Sequence, residues 1–365
     1  RTLTEGDLFV ALPGERTHGH KFVPAVLSQA AAAALVTRPI DCSCPPEKSI
    51  ILVPDTSQAL LDLAAWYRRQ FSVRTVAVTG STGKTTTKDL IAGILMKGWP
   101  TLKSPGNLNT EIGLPLALFK LKENHKVAVL ELAMRGQGQI RQLAQVAQPE
   151  VGVITNSGVA HLEVLGTRDN IARAKGELLE SLPAQGWAVL NGDDQRLRQQ
   201  SARSPCPVIY FGLGAAADIR GFDISTEGRA GINFSVAGLC GPGRIRLPLV
   251  GRFNVSNALA AIAVGHYFGL SVAEMAAALK EVKPPAMRLN VCKRPDGALI
   301  IDDVYNANPA SMRGALSALA DLAEGRPTVA ILGDMLELGG VAAVAHEEVG
   351  RLVAELGVDL LIAVG

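Results

Sequence analysis

Short apolar runs alternate along the chain with stretches of helical spacing. Residues 7–11 and 49–53 read as strands, and residues 22–35, including the alanine run at 30–34, carry helical periodicity. Residues 57–70 read as an amphipathic helix with Leu60, Leu61, Leu63 and Ala64 on one side. From Thr75 the apolar runs become continuous, at 75–79, 127–132, 151–155, 187–190 and 208–211, with helices between most of them. Such strands predict a parallel sheet covered on both faces. Residues 217–250 switch to period two: Ile219, Phe222, Ile224, Ile232, Phe234, Val236, Ile245 and Leu247 alternate with polar positions, which predicts an antiparallel meander. Residues 257–268 return to helix. Lys283-Pro284-Pro285 is a stiff break. Strands at 298–302, 328–332 and 360–364 follow it, with helices at 311–322 and 342–356 between them.

The expected fold class is therefore α/β, in three units. These are a small one over 1–72, a central one over 73–283 and a third over 284–365. A length of 365 residues fits two to three domains at about 150 residues each. The third unit is short for an α/β domain. The chain opens Arg-Thr-Leu-Thr-Glu without an initiator Met and stops on a strand-like run, so a fragment clipped at both ends is expected.

Composition narrows the function classes. Hydrophobic residues make up 48% and charged residues 19%, which suits large buried cores and excludes a disordered, charge-driven chain. Lys and Arg number 36 against 34 Asp and Glu, a net charge of +2, so no basic field for nucleic acid is present. No run of 18 apolar residues occurs, and the opening residues lack the basic and apolar regions of a signal peptide. Five scattered cysteines suit free thiols in a reducing cytoplasm. Cys42 and Cys44 lack a second Cys/His pair nearby, so metal binding is not expected there.

One motif stands out. Gly80-Ser81-Thr82-Gly83-Lys84-Thr85-Thr86 follows a strand and precedes a helix. Glycines let backbone N–H groups turn inward around phosphate, the helix N-terminus adds a favourable dipole, and Lys84 supplies a mobile cation. Thr85 can place its hydroxyl on Mg²⁺. The spacing is shorter than the common nucleotide loop, because Val78 stands where an earlier glycine would.

Other residues are more ambiguous by themselves. Glu131 ends a buried strand, where a metal-holding carboxylate beside a phosphate loop belongs, but an exposed loop carboxylate reads the same way. His161 follows a strand tip and could be a ligand, a proton carrier or a structural histidine. Lys175 reads as a solvated helical lysine. Asn254 and Asn257 share a helix face, and helix capping by Asn254 accounts for them equally well. His18 and His20 flank Gly19 in an early loop, and two such histidines do not make a metal site.

The shortened loop, together with segments at 6–12, 19–22, 109–115, 160–163, 174–177, 254–261, 301–309 and 332–339, resembles the Mur ligase family, which builds peptidoglycan precursors. The segments cover most of the chain in order. The most specific are Asp302-Asp303-Val304-Tyr305-Asn306-Ala307-Asn308-Pro309 and Gly333-Asp334-Met335-Leu336-Glu337-Leu338-Gly339. The resemblance implies a cytoplasmic, monomeric, ATP-dependent amide ligase that works through an acyl phosphate. The two specific strings favour D-alanyl-D-alanine as the amine and UDP-N-acetylmuramoyl-tripeptide as the acid.

The resemblance also implies roles. Glu131 and Thr85 would hold one Mg²⁺, and His161 with a carbamylated Lys175 a second. Asn254 and Asn257 would contact adenine, Arg288 a phosphate and Asp303 the ribose. The first unit would hold the UDP end, with the loop at 14–17 nearby. Two departures are visible. Ala133-Met134-Arg135-Gly136-Gln137 replaces the family's usual Gly-x-Asn-His run, and His18 stands where the family usually has Asp. Alternatives are a sister ligase adding diaminopimelate or lysine, a folylpolyglutamate-synthase-like ligase, and a nucleotide-binding regulator without ligase chemistry.

Overall fold

The computed structural model describes residues 3–14, 17–41 and 46–365. Cys42 and Cys44, and part of the 14–17 loop, lie outside the described residues. A three-stranded parallel sheet comes first, in the order β1 (Leu8–Val10), β2 (Ala33–Val36), β3 (Ser49–Leu52). The expected helix over 22–35 divides in two. Val23–Gln29 is helical, but Ala30 leaves the helical region at φ −134° and Ala33 begins β2. Pairing on both edges, with Ala34 and Val36 fully buried, outweighs the helix preference of the alanine run. The helix Thr56–Arg69 follows, capped by Asp55, whose side chain accepts from the N–H groups of Ser57 and Gln58. Its Leu61 and Ala64 pack into the core of the next sheet, and Arg68 donates to the carbonyls of Ala147, Phe71 and Val73.

That next sheet has nine strands. In chain order they are β4 (Arg74–Thr79), β5 (Thr101–Lys103), β6 (Val127–Glu131), β7 (Val151–Ile154), β8 (Trp187–Asn191), β9 (Val208–Gly212), β10 (Ile219–Thr226), β11 (Ile232–Gly238) and β12 (Gly243–Leu247). Across the sheet they run β12-β11-β10-β9-β8-β7-β4-β6-β5. The pairs from β5 to β10 are parallel, and β10 to β12 form the expected antiparallel meander. Helices Lys84–Leu95 and Asn254–Tyr267 cover one face, and Gln139–Ala147 and Arg168–Glu180 the other. Burial on both faces is why β4, β6 and β7 read as unbroken apolar runs.

The chain leaves β4 toward β6 and β5 on one side, then returns to lay β7 on the other. A sheet opens a crevice at the carboxyl ends of its strands where the order reverses. The loops after β4, β6 and β7 meet there.

Beyond the Pro284-Pro285 break, β13 (Asn290–Lys293) pairs antiparallel with β14 (Leu299–Asp302), an unexpected hairpin. Helices Pro309–Ala323 and Ala342–Glu355 flank the parallel pair β15 (Val329–Gly333) and β16 (Leu360–Val364). Among the described residues, no helix is long and apolar enough to cross a membrane.

Candidate active site

The loop after β4 is braced from β7. Asn156 accepts the N–H of Thr82 through Oδ1 (3.1 Å) and donates through Nδ2 to the Thr82 hydroxyl (2.9 Å). Thr155 Oγ1 donates to the Thr82 carbonyl (2.6 Å), and Ser81 Oγ to that of Gly158 (3.0 Å). Both glycines are sterically required. At Gly80 (φ +152°) a Cβ would collide with Thr155 Oγ1, and at Gly83 (φ +78°) with Asn257 Oδ1. The helix Lys84–Leu95 starts at the loop's end, so its free N–H groups face the crevice.

Lys84 Nζ reaches back to the carbonyls of Gly80 (2.9 Å) and Ser81 (3.3 Å), a cation held inside the loop where phosphate oxygens would come. Part of the side chain is open to the cleft, but protein crowds the ammonium. Burial pushes Lys84 below the ordinary lysine range, while Glu131 opposes the shift and Arg288 adds to it.

Glu131, only 2% exposed, sits at the tip of β6. Its carboxylate accepts from Thr85 Oγ1 (2.9 Å) and from Asn109 Nδ2 (2.7 Å), and its own N–H donates to Ser104 Oγ (3.1 Å). Two hard oxygen donors, the Thr85 hydroxyl and the Glu131 carboxylate, thus lie together beside the loop, a set that fits Mg²⁺. Among the described residues no three His, Cys, Asp or Glu side chains converge as a metal site. A cation here would complete its shell from phosphate oxygens and water, as Mg²⁺ commonly does.

Asn254 and Asn257 form one chain of bonds. Asn257 Nδ2 donates to Asn254 Oδ1 (2.8 Å), Asn254 Nδ2 donates to the Val250 carbonyl (2.7 Å), and Thr87 Oγ1 donates to Asn257 Oδ1 (3.2 Å). Asn254 is inside the helix and does not cap it; Phe253 occupies the cap position. Across the cleft, the Arg288 guanidinium lies 3.9 Å from the centre of the Tyr305 ring, a cation–π contact. Asp303 accepts the Leu289 N–H (3.1 Å). Burial raises its carboxyl above the usual range, against the opposing pull of that N–H and of Arg288. Met287 (φ +57°) and Leu289 (φ +48°) hold left-handed backbone on either side of Arg288.

His161 and Lys175 are built differently. His161 (φ +64°) approaches Glu337 of the C-terminal unit, Nδ1 to Oε2 2.5 Å, without the alignment of a good hydrogen bond. Burial lowers its basicity, Glu337 works against this, and Lys175 reinforces it. Lys175 is 1% exposed, and its ammonium has no hydrogen bond or ion pair among the described residues. It is no solvated helical lysine. Burial, with Lys84 nearby, drives it well below the ordinary lysine range. Two residues on, buried Glu177 accepts the N–H groups of Gly138 (2.7 Å) and Arg141 (3.1 Å), capping the helix Gln139–Ala147 from a distance.

These residues surround one cleft of about 850 Å³. Ser81 to Thr86, Glu131, His161, Asn254, Asn257, Arg288 and Asp303 line it; Gly80 and Lys175 are not among its lining residues. His18 and His20 are elsewhere, in the first unit. Their Nδ1 atoms are 2.6 Å apart, and His20 Nε2 accepts the Thr37 N–H (3.0 Å), a structural arrangement. Asn109, Thr155, Asn156, Tyr305 and Glu337 were not singled out from sequence. Each lies in or next to a segment that was, but only the strand order shows that β7 supports the loop after β4.

A family model for the Mur ligase middle domain matches residues 78–265, and one described as Mur ligase, glutamate ligase domain matches 287–365. The chain belongs to the Mur ligase family. It is thus an ATP-dependent ligase that forms an amide bond. It is 38% identical over 366 residues to the UDP-N-acetylmuramoyl-tripeptide–D-alanyl-D-alanine ligase of Bacillus subtilis, covering 100% of this chain and 78% of that protein. The structure of MurF from Acinetobacter baumannii superposes with a TM-score of 0.92 at 37% identity, covering 100% of this chain and 78% of the other. MurF from Thermotoga maritima in complex with ADP superposes at 0.88 with 32% identity, covering 99% and 82%. A diaminopimelate ligase, at 22% identity and a TM-score of 0.62, shares the fold alone.

Proposed function

We propose that this ligase joins D-alanyl-D-alanine to UDP-N-acetylmuramoyl-tripeptide through an acyl phosphate. The observation that carries the reading is likeness along the whole chain to dipeptide-adding ligases, at 38% identity. A carboxylate is a poor electrophile, and phosphorylation gives it a leaving group. The tripeptide carboxylate oxygen attacks the γ-phosphorus of ATP and ADP departs. The dipeptide amine then attacks the acyl carbon, loses a proton, and phosphate leaves.

The chain's residues divide this work. Loop N–H groups and Lys84 orient the phosphates and offset the charge that develops on them. Asn254 and Asn257 face the adenine, Asp303 the ribose hydroxyls and Arg288 a phosphate. Thr85 and Glu131 would hold one Mg²⁺, and His161 with Lys175 a second. Bound there, Mg²⁺ supplies positive charge to the transferring phosphoryl group. Lys175 becomes a ligand by adding CO₂ through its amine nitrogen with loss of a proton, which makes a carbamate. The buried lysine, without a partner among the described residues and lowered well below its ordinary range, supports this, since only the uncharged form has the electron pair to react.

In this reading residues 1–72 anchor the UDP end, 73–283 carry the ATP chemistry and 284–365 close over the nucleotide. The protein works as a cytoplasmic monomer. The decisive experiment is ADP release with the tripeptide nucleotide and a panel of amines. D-alanyl-D-alanine alone should support turnover, and stimulation by diaminopimelate or lysine instead would move the assignment to a sister ligase.

A further inference from the structure

His161 and Glu337 belong to different units and meet across the seam between them. Nδ1 of His161 is shut off from solvent and lies 2.5 Å from a Glu337 carboxylate oxygen. A carboxylate offers only lone pairs. The contact is close though not aligned as a hydrogen bond; an electron-rich bare Nδ1 that near a carboxylate is repelled and an N–H there attracted, so the ring proton belongs on Nδ1. Nε2 is then left with the free electron pair, on a residue that lines the cleft.

The Glu337 segment is held in place independently of this contact. The Glu163 N–H donates to the Glu337 carbonyl (3.2 Å). A Cβ on Gly339 would stand only 3.2 Å from Glu163 Cα, so the two backbones pack closely. Val159 packs in one apolar cluster with Met335 and Leu338. Both His161 (φ +64°) and Glu337 (φ +62°) hold left-handed backbone, which non-glycine residues keep only where their surroundings impose it. The Glu337 side chain itself is 44% exposed, so the core does not depend on it.

We propose that Glu337 is a positioning residue: docking of the C-terminal unit brings its carboxylate to Nδ1 of His161, fixing the tautomer that offers Nε2 to a divalent cation in the cleft. A carboxylate behind a ligating histidine commonly sets ring orientation and raises ligand strength. The seam thereby ties completion of the site to docking, and its catalytic consequence rests on the ligase reading above.

The test is nitrogen NMR of the protein labelled with ¹⁵N-histidine, with His161 assigned through the signal lost in His161→Gln. The parent protein should show the Nδ1–H tautomer. Glu337→Ala should shift the ring to the Nε2–H form that neutral histidine prefers in water. Glu337→Gln, whose amide oxygen still accepts, should retain Nδ1–H. In turnover, Glu337→Ala should lose about 10- to 100-fold in kcat with little change in the KM for ATP, and Glu337→Gln should recover most of that rate. An Nδ1–H signal that persists in Glu337→Ala, or a kcat within about two-fold of the parent, overturns the proposal. The spectrum needs no amine substrate. Failure to use D-alanyl-D-alanine would therefore count against the ligase reading and leave the tautomer to be judged by itself.

Discussion

The two ends of the cleft are built to different standards. At the nucleotide end, the loop is tied by Thr155 and Asn156 from β7 and wedged against Asn257, with Glu131 fixed by Asn109 and Ser104. All of these lie between β4 and the helix Asn254–Tyr267, on one sheet and its helices. At the other end, Lys175 has no partner among the described residues, and His161 rests on a carboxylate borrowed from the C-terminal unit. The loop is thus braced within one unit. The other end is left with a buried lysine that has no partner among the described residues, and with a seam between units.

The sharpest way to break this contrast is to remove one lysine from each end. Lys84→Ala and Lys175→Ala should each cost ligation at least about 10²- to 10³-fold, but by different routes. Lys84→Ala should also lose ADP affinity, measured by calorimetry, whereas Lys175→Ala should bind ADP nearly normally. Near-normal turnover by Lys175→Ala without added short carboxylic acids would sink the carbamate.

Stability should move the other way at Lys175. The native group sits well below its ordinary range, so a proton binds it less well in the folded chain than in the unfolded one, and at pH below that ordinary range the lysine destabilises the fold. Lys175→Met in bicarbonate-free buffer should therefore melt higher than the parent. An unchanged or lower Tm would show that the amine has a partner in solution.

A smaller effect is expected one step behind Glu131. Asn109→Ala frees one side of the Glu131 carboxylate and should lower kcat about 10-fold while raising the Mg²⁺ requirement. An unchanged Mg²⁺ titration would mean Glu131 needs no such support.

Smallest is the effect at Asp303. Its native carboxyl is raised, so its contribution to stability is present below the ordinary carboxylate range and is lost as pH rises through the raised value. Asp303→Asn should flatten that part of the stability–pH curve. It should also raise the KM for ATP a few-fold, with kcat little changed.

Much of this was legible in the sequence. The unbroken apolar runs of β4, β6 and β7 gave away the doubly covered sheet, and the Gly80–Lys84 spacing after a strand gave away the phosphate loop. The alanines at 33 and 34 misled, because local helix preference is blind to strands pairing on either side. Short β5 and β13 carry too few apolar residues to show a period. Lys175 was legible only through the family resemblance, since a lysine in a helix usually faces water and only packing reveals its burial. Glu337 and His161 are 176 residues apart in sequence, and no spacing rule joins them.

The central claim is that the carboxylate is activated by phosphorylation before the amine attacks. It is tested most directly by ¹⁸O transfer. With the terminal carboxylate of the tripeptide nucleotide labelled, mass spectrometry of the released phosphate should find one labelled oxygen, and only when D-alanyl-D-alanine is present. Phosphate released without label would mean that water, not the carboxylate, takes the phosphoryl group, and would contradict the account.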